Sequence, residues 1–199
     1  MASEIVLASA SPTRRVLLEN AGLSPEVIPA RVDETAVKES LCHDGASPRE
    51  VADALAELKA LRVSERAPGR MVLGCDQVLD LDGHLMNKPE TIDAARCDLM
   101  ALRGRRHDLL SAVVVCRDGE PIWRHVGEVR MTMRRFSEDY LDEYLARNWH
   151  SVRDSVGGYK LEEEGVRLFS KVEGDYFTVL GMPLLDVLSF LMLRGDLQA

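Results

Sequence analysis

Residues 74–89 contain an acid and an amine that a single hairpin would carry on its two arms. Apolar residues flank Asp76 on both sides, and the pair Asp82 and Gly83 tolerates the positive φ angles of a type I′ turn. Lys88 returns on the second arm, just before Pro89 stops the strand ladder. An ionised carboxylate in an apolar segment is costly unless a cation or a donor meets it, so we interpret Asp76 and Lys88 as candidate active-site residues. A purely structural ion pair across the hairpin would explain the same pattern.

The turn between the first predicted strand, residues 4–8, and the helix after it is a candidate anion site. Ser11 is predicted to cap this helix and Pro12 to occupy its first position. Small hydroxyl residues, free amides at a helix N-terminus and the guanidinium groups of Arg14 and Arg15 favour phosphate at such a turn. The alternative is an ordinary capped helix with solvated arginines, and the spacing alone does not decide between the two.

Asp33 and Glu34 end an extended segment, residues 25–32, and the sequence after them shows no clear period as far as Ala46. Two adjacent acids in such a place either ligate Mg²⁺ or cap a loop. A capping box at residues 47–50 then opens a helix, whose apolar stripe is predicted to be Val51, Leu55, Leu58 and Leu61. Lys59 lies at the margin of that stripe, where a lysine usually extends into solvent, so its spacing alone assigns it no function.

The alternation of strand and helix patterns predicts an α/β fold with a mixed sheet. Asp118 and Gly119 mark a second hairpin between two long strands. Gly157 and Gly158 lie in a loop that runs into a predicted strand, and paired glycines indicate close approach of the backbone to a ligand or to a neighbouring strand. Strand character is predicted again over residues 169–180. Helices are predicted over residues 91–102, 138–147 and 184–193, with Ile92 on the inward face of the first of these.

The composition limits the classes of partner. The 199 residues fit one domain over residues 1–199, or two small lobes sharing a sheet. A formal net charge of −8 disfavours a nucleic-acid partner, whereas a small polyanion in a local basic pocket, together with a divalent cation, is compatible. No apolar run reaches the ~18 residues of a membrane span, and no basic region precedes the first apolar run, so we expect no membrane partner and a cytoplasmic location. The oligomeric state stays open, with a homodimer compatible.

The cysteines and histidines show no metal-binding pattern. The four cysteines lie far apart without a CxxC pair, which suits neither a zinc site nor a disulfide framework, so we expect reduced thiols. The five histidines show no paired spacing of the kind that binds transition metals.

Five short motifs stand in order along the chain. They are SASPTRR at residues 9–15, VDE at 32–34, LKA at 58–60, GCDQ at 74–77 with NKP at 87–89, and GGY at 157–159 followed by EGDY at 173–176 and GMPL at 181–184. Together they resemble the Maf family of nucleoside triphosphate pyrophosphatases, once described as septum-formation inhibitors. The resemblance spans nearly the whole chain. It implies an elongated mixed β-sheet flanked by helices, with two lobes and a central cleft. It also implies Mg²⁺- or Mn²⁺-dependent hydrolysis of a nucleoside triphosphate to the monophosphate and pyrophosphate.

The same resemblance implies roles for individual residues. Asp76 matches the aspartate taken as proton acceptor and metal ligand, and Glu34 matches the acidic residue near the metal. The hydroxyl and cationic residues that hold the phosphate chain are matched by Ser9, Arg14, Lys59 and Lys88. These residue types suit the chemistry, because attack of water on the α-phosphorus needs a carboxylate to orient or deprotonate the water and cations along the departing pyrophosphate.

Base preference is predicted from Gln77 and Glu162. Members of the family that act on 7-methyl-GTP resemble this chain in having Gln and Glu at these positions, whereas those that hydrolyse dTTP and UTP have Thr and Gln. A carboxylate accepts hydrogen bonds from the N1–H and N2 amino groups of guanine and repels the O4 of uracil. Thr13 departs from the aromatic residue expected in the 7-methyl-GTP class, and Glu162 also begins an acidic run that solvation alone would explain.

We therefore expect a 7-methyl-GTP pyrophosphatase that cleans the nucleotide pool. The alternatives are a dTTP/UTP pyrophosphatase and a nucleotide-binding regulator of cell division without turnover.

Overall fold

A single mixed sheet organises the computed structural model, which describes residues 5–198 and in that range has seven strands. The strands are β1 (Ile5–Leu7), β2 (Glu26–Val27), β3 (Met71–Leu81), β4 (His84–Met86), β5 (Arg106–Arg117), β6 (Glu120–Met133) and β7 (Phe169–Glu173). The helices are α1 (Pro12–Asn20), α2 (Glu34–His43), α3 (Pro48–Ser64), α4 (Ile92–Leu102), α5 (Glu138–Val152), α6 (Tyr176–Val179) and α7 (Leu184–Arg194). Two short 3₁₀ segments cover Val156–Gly158 and Glu164–Leu168. The predicted α/β class with a mixed sheet is confirmed; Glu4 of the predicted first strand lies outside the described residues.

The sheet leaves a gap beside its central strand. The strand order is β2-β1-β3-β5-β6-β7, and β1 runs parallel to both of its neighbours while the other pairs are antiparallel. On one side of β3, β5 pairs with residues 72–80. On the other side, β1 pairs with residues 71–73 and β4 with residues 79–81. Within the described part of the chain, residues 74–78 therefore have a strand neighbour on the β5 side alone, and we call this open edge the gap.

Both predicted hairpins form. Asp82 and Gly83 connect β3 to β4 with φ angles of 53° and 86°, as a type I′ turn requires. Asp118 and Gly119 connect β5 to β6 with φ angles of 52° and 80°. The first hairpin is shorter than predicted, because β4 ends at Met86 and Lys88 lies beyond it.

Helix α3 lies unusually close to β3 because position 74 has no side chain. A Cβ atom on Gly74 would lie 2.1 Å from the carbonyl oxygen of Ala56 and 2.5 Å from the amide nitrogen of Ala60. The face of α3 turned towards the sheet carries small residues and one lysine, and its buried members include Ala52, Leu55, Ala56, Lys59, Ala60 and Val63. The predicted stripe was therefore wrong in part: Leu58 and Leu61 are only half-buried, and alanines take the contact.

The opposite face of the sheet is covered by two groups of helices. Helices α1 and α7 pack near Leu73, Cys75 and Val113, whereas α4 and α5 pack near Leu79 and Met131. None of the helices between residues 5 and 198 is both long enough and apolar enough to span a membrane. All four cysteines are free, as expected.

One helix was not predicted, and three local predictions were wrong. The segment after Glu34 forms α2, capped by Asp33, whose Oδ1 accepts from the amide of Ala36 at 3.1 Å. Because none of the residues of α2 is fully buried, it has no clear apolar period to reveal it. The loop after Gly158 continues as 3₁₀ turns rather than a strand, and the residues from Tyr176 form α6 instead of extending β7. Ile92 is 39% exposed rather than inward-facing.

Candidate active site

A cleft of about 750 Å³ opens at the gap. Its walls are the start of α1, one face of α2, the middle of β3, the end of α6 and residues 154–162. The volume is in the range of pockets that bind small organic ligands. The structure brings to this cleft all nine residues to which the family resemblance gives a role: Ser9, Thr13, Arg14, Glu34, Lys59, Asp76, Gln77, Lys88 and Glu162.

Lys59 is the ion-pair partner of Asp76. Its Nζ atom lies 2.6 Å from Asp76 Oδ1 and 2.9 Å from Glu34 Oε1. The side chains of Lys59 and Asp76 are each 7% exposed, so this pair is buried. The prediction that Lys59 lies at the margin of the apolar stripe of its helix was wrong, because the contact at Gly74 turns this face of α3 onto the sheet. The alternative of a structural ion pair between Asp76 and Lys88 is not supported, since Lys88 is exposed and lies beyond the end of β4.

Several cations act on Glu34. Partial burial raises the pKa of its carboxyl, but the charge and hydrogen bond of Lys59 lower it more, and Lys88 and Arg14 lower it further. The balance holds the pKa below its usual range, so Glu34 is ionised at neutral pH. Three cations thus converge on one half-exposed carboxylate in a chain whose net charge is −8.

Arg14 is held by backbone carbonyls rather than solvated. Its Nε donates to the carbonyl oxygen of Gly181 at 2.8 Å, and its Nη1 donates to the carbonyl oxygen of Cys75 at 3.0 Å and to Ser9 Oγ at 3.1 Å. No acceptor for Nη2 is found within residues 5–198, so that group is available to an anion. Arg15 instead forms an exposed pair with Glu19. The structure therefore favours the anion-site interpretation for Arg14 and the solvated one for Arg15.

The hydroxyl group of Ser9 can donate its proton to a ligand. Ser9 is buried, and its Oγ accepts from Arg14 and from the amide of Ser11 at 3.2 Å. Because a hydroxyl has two lone pairs and one proton, the proton remains to donate to a phosphate oxygen.

Two carboxylates of the cleft, those of Glu34 and Asp76, fit a metal that binds together with a phosphate chain. Among the residues described, no group of three His, Cys, Asp or Glu side chains is placed to hold an ion. Mg²⁺, however, commonly takes one or two carboxylates and completes its shell with phosphate oxygens and water. Glu34 and Asp76 supply such oxygen donors, and Lys59 lies between them.

The acidic run on the far wall is not uniform. Glu163 accepts from Ser151 and Lys160 at 2.8 and 3.3 Å. Hydrogen bonds from Arg147 and then Asn148 lower the pKa of Glu164 to about 2. Glu162 is exposed, lines the cleft, and has no hydrogen-bond or ion-pair partner in residues 5–198. Solvation of the whole run does not describe this arrangement, because two members are bound and one faces the cleft.

Gln77 uses its amide nitrogen to contact β5 and the end of α6. This nitrogen lies 3.0 Å from Ser111 Oγ, 3.2 Å from the carbonyl oxygen of Thr178 and 3.0 Å from that of Val179. Since carbonyl oxygens only accept hydrogen bonds, the nitrogen must be the atom that faces them. Thr13, the other residue predicted to bear on base choice, is half-buried on the near wall.

Lys38 and Asn87 were not predicted from the sequence to lie at the cleft. Lys38 Nζ donates to Asn87 Oδ1 at 3.0 Å, and both residues line the cleft. Lys38 follows Glu34 by four residues and so shares its face of α2. The spacing would have pointed to Lys38 if the helix had been predicted.

Comparison with known proteins places the chain in a family. The model of the family described as "Maf-like protein" matches residues 4–193. The "Nucleoside triphosphate pyrophosphatase" of Roseobacter denitrificans is 57% identical over 197 residues, covering 99% of each chain. The "7-methyl-GTP pyrophosphatase" of Mesorhizobium japonicum is 49% identical over 198 residues, covering 100% of each.

A solved structure, that of the Staphylococcus aureus Ham1 protein, has a TM-score of 0.36 and 19% identity, covering 65% of this chain and 71% of that one, which is too low to establish a common fold. The family match, in contrast, spans nearly the whole sequence and agrees with relatives at about half identity or more over their full length. This chain belongs to the Maf family.

Proposed function

We propose that the cleft hydrolyses a nucleoside triphosphate to the monophosphate and pyrophosphate, and that 7-methyl-GTP is the preferred substrate. The observation that carries the proposal is the buried Lys59–Asp76 pair at the gap, with the free donors of Arg14 and Ser9 on the same cleft. A carboxylate beside a row of cations suits attack of water on a phosphorus atom and departure of pyrophosphate.

Asp76 is the proposed proton acceptor. Its Oδ1 accepts a hydrogen bond from Lys59, which fixes the orientation of the carboxylate and leaves Oδ2 to accept a proton from water. The water oxygen forms a bond to the α-phosphorus as the bond between that phosphorus and the bridging oxygen breaks. The bridging oxygen leaves with pyrophosphate, whose charge faces Arg14, Lys88 and Lys38.

A divalent cation completes the proposed chemistry. Mg²⁺ or Mn²⁺, when bound, offsets the negative charge of the phosphate chain, and Glu34 and Asp76 are the residues that would hold it. The protein's own contribution is a set of fixed donors and one oriented carboxylate.

Base preference is proposed to depend on Glu162. Its carboxylate lies at the cleft and has no partner in the part of the chain that the structure describes, so a guanine that donates from N1 and N2 would satisfy it, whereas uracil O4 would be repelled. Methylation at N7 gives the base a positive charge, and charge-assisted hydrogen bonds are stronger than neutral ones. A relative at 49% identity carries the name 7-methyl-GTP pyrophosphatase, which supports the proposal. Hydrolysis of UTP or dTTP is the alternative.

The test is a panel of kcat/KM values for 7-methyl-GTP and the unmodified triphosphates. Glu162→Gln is compared with Glu163→Gln, a matched control because Glu163 makes its contacts with Ser151 and Lys160 instead. We expect wild type to favour 7-methyl-GTP, Glu162→Gln to lose about tenfold in that preference, and Glu163→Gln to keep it.

A wild type that prefers UTP or dTTP, or a Glu162→Gln variant with the same ranking, would contradict the role of Glu162. Binding of triphosphate without any pyrophosphate release would instead favour the regulator without turnover.

A further inference from the structure

We infer that Gln77 is a positioning residue, which holds Arg14 in place for the phosphate chain by anchoring α6. This inference rests on the proposed function, because it concerns how Arg14 meets a triphosphate. It assigns Gln77 a different task from the one predicted from its sequence position.

The first step is that side chains of two strands, β3 and β5, form hydrogen bonds with the end of α6. Gln77 and Ser111 are register partners on β3 and β5. The amide nitrogen of Gln77 contacts the carbonyl oxygens of Thr178 and Val179, and Ser111 Oγ donates to the same Thr178 oxygen at 2.8 Å. The carbonyl oxygen of Thr178 also accepts from the amide of Gly181 at 3.1 Å, and the side-chain donors of Gln77 and Ser111 tie this end of α6 to the sheet. Ser111 is fully buried, and this end of α6 is thus fastened to the sheet.

The second step leads from α6 to Arg14. Gly181 lies two residues after α6, and its carbonyl oxygen accepts from Arg14 Nε at 2.8 Å. Its φ angle is +97°, and a Cβ atom there would lie 3.2 Å from Arg14 Nε and 3.3 Å from Nη2. The backbone conformation therefore favours glycine here, and a side chain would crowd the guanidinium group.

The third step closes the network on β3. Arg14 Nη1 donates to the carbonyl oxygen of Cys75, two residues before Gln77 on the same strand. Gln77 fixes α6, α6 fixes the Gly181 carbonyl, and the Gly181 and Cys75 carbonyls together orient the guanidinium group. The amide oxygen is the only polar atom of the Gln77 side chain left for a ligand, whereas all three contacts of the nitrogen serve this network.

The two roles predict different substrate dependence. If Gln77 read the base, replacing it would change affinity for some triphosphates and spare a phosphate chain without a base. If Gln77 positions Arg14, replacing it weakens binding of every phosphate chain by a similar factor.

Inorganic tripolyphosphate, which carries the phosphates but no base, is the discriminating probe. Its inhibition constant against hydrolysis is measured with the full chain for wild type, Arg14→Ala, Gln77→Met and the double variant. Methionine matches glutamine in length and lacks the donor. We expect Gln77→Met to raise the inhibition constant, and the KM of every triphosphate, about tenfold with the base ranking unchanged, because a displaced binding group weakens all phosphate contacts. In the Arg14→Ala background the same change should add less than about twofold, since the residues act in series.

Unchanged tripolyphosphate inhibition with an altered base ranking would overturn the inference, as would effects of the two substitutions that simply add. If wild type is not inhibited, or if Arg14→Ala leaves inhibition unaltered, the phosphate site of the proposed function itself fails. If circular dichroism shows that Gln77→Met does not fold, Gln77→Thr, which is smaller and also lacks the amide, is measured in the same way and judged by the same outcomes.

Discussion

Replacing Gly74 by alanine should damage stability and catalysis together. The new methyl group would lie 2.1 Å from the carbonyl oxygen of Ala56, and backbone on both sides leaves no flexible group to yield. Helix α3 would have to retreat from β3 by roughly 1 Å or more to restore an ordinary van der Waals contact. Because α3 carries Lys59 and β3 carries Asp76, that retreat would pull apart the two atoms that now lie 2.6 Å from each other.

The expected magnitudes follow from these two effects. Overpacking of a tight contact costs about 1–3 kcal/mol of unfolding free energy. Separation of a buried ion pair adds to this, because an uncompensated buried carboxylate is strongly destabilising. For activity, a displacement of about 1 Å near the reacting groups can lower turnover about 100-fold. We therefore expect Gly74→Ala to lose about 2–5 kcal/mol of stability and about 100-fold in kcat/KM.

The assay is urea unfolding followed by circular dichroism, with pyrophosphate release measured well below the unfolding temperature. Gly195→Ala is the matched control, since Gly195 has a φ of +79° and nothing within 4 Å of an added Cβ. It should lose about 1 kcal/mol by backbone strain and keep its turnover. Wild-type stability and activity in Gly74→Ala would refute the packing argument. Lost stability with full activity would show that the contact does not position Lys59.

Asp76→Asn should lower pyrophosphate release about 100-fold or more, as expected when a general base is lost, and near-normal turnover would rule out that role. Lys88→Ala should raise KM in a fold that circular dichroism shows to be intact, and unchanged kinetics would count against a phosphate contact. Lys38→Ala should raise KM several-fold with little change in kcat, the pattern of lost uniform binding, while Lys171→Ala on β7 serves as a control. Burial lowers the pKa of His107 to about 4 from its ordinary 6.5. Between those values the unfolded chain binds a proton that the folded chain does not, so the free energy of unfolding should fall as pH drops from 6.5 to 4. Urea titrations at several pH values should show a flatter dependence for His107→Phe, and an identical dependence would contradict the assignment.

The parts of the fold predictable from sequence are those set by neighbouring residues. The turns at Asp82 and Gly83, and the cap at Ser11, depend on local backbone preferences that residue types reveal. Helix α2 was not predicted because none of its residues is fully buried, and its two partly buried apolar residues, Val37 and Leu41, are too few to show a clear period. The burial of Lys59 was not predicted for another reason. The face of α3 that meets the sheet is set by its close contact with Gly74 of β3, and sequence spacing does not reveal a contact between two elements.

The candidate site shows the same division. The residue types that suit phosphate chemistry were evident at Asp76 and Arg14, and all nine residues to which the family resemblance gives a role lie at one cleft. The contacts between these residues were not evident from the sequence, because the partners lie far apart in the chain. Gln77 contacts carbonyl groups that are 101 and 102 residues away in the sequence. Arg14 contacts Gly181, which is 167 residues away. Sequence spacing carries no signal for such contacts.

The gap in the sheet also bears on self-association. A strand edge with free backbone groups is a template on which another chain can add a strand, and proteins commonly protect such edges with charge or by keeping them short. Here the open stretch is confined to residues 74–78 between β1 and β4, and a guanidinium group already binds the Cys75 carbonyl. We therefore expect the charged side chains at the cleft to hinder another chain from adding a strand at this edge. Substitutions that neutralise several of them would be expected to lower soluble yield and turnover through a single structural cause.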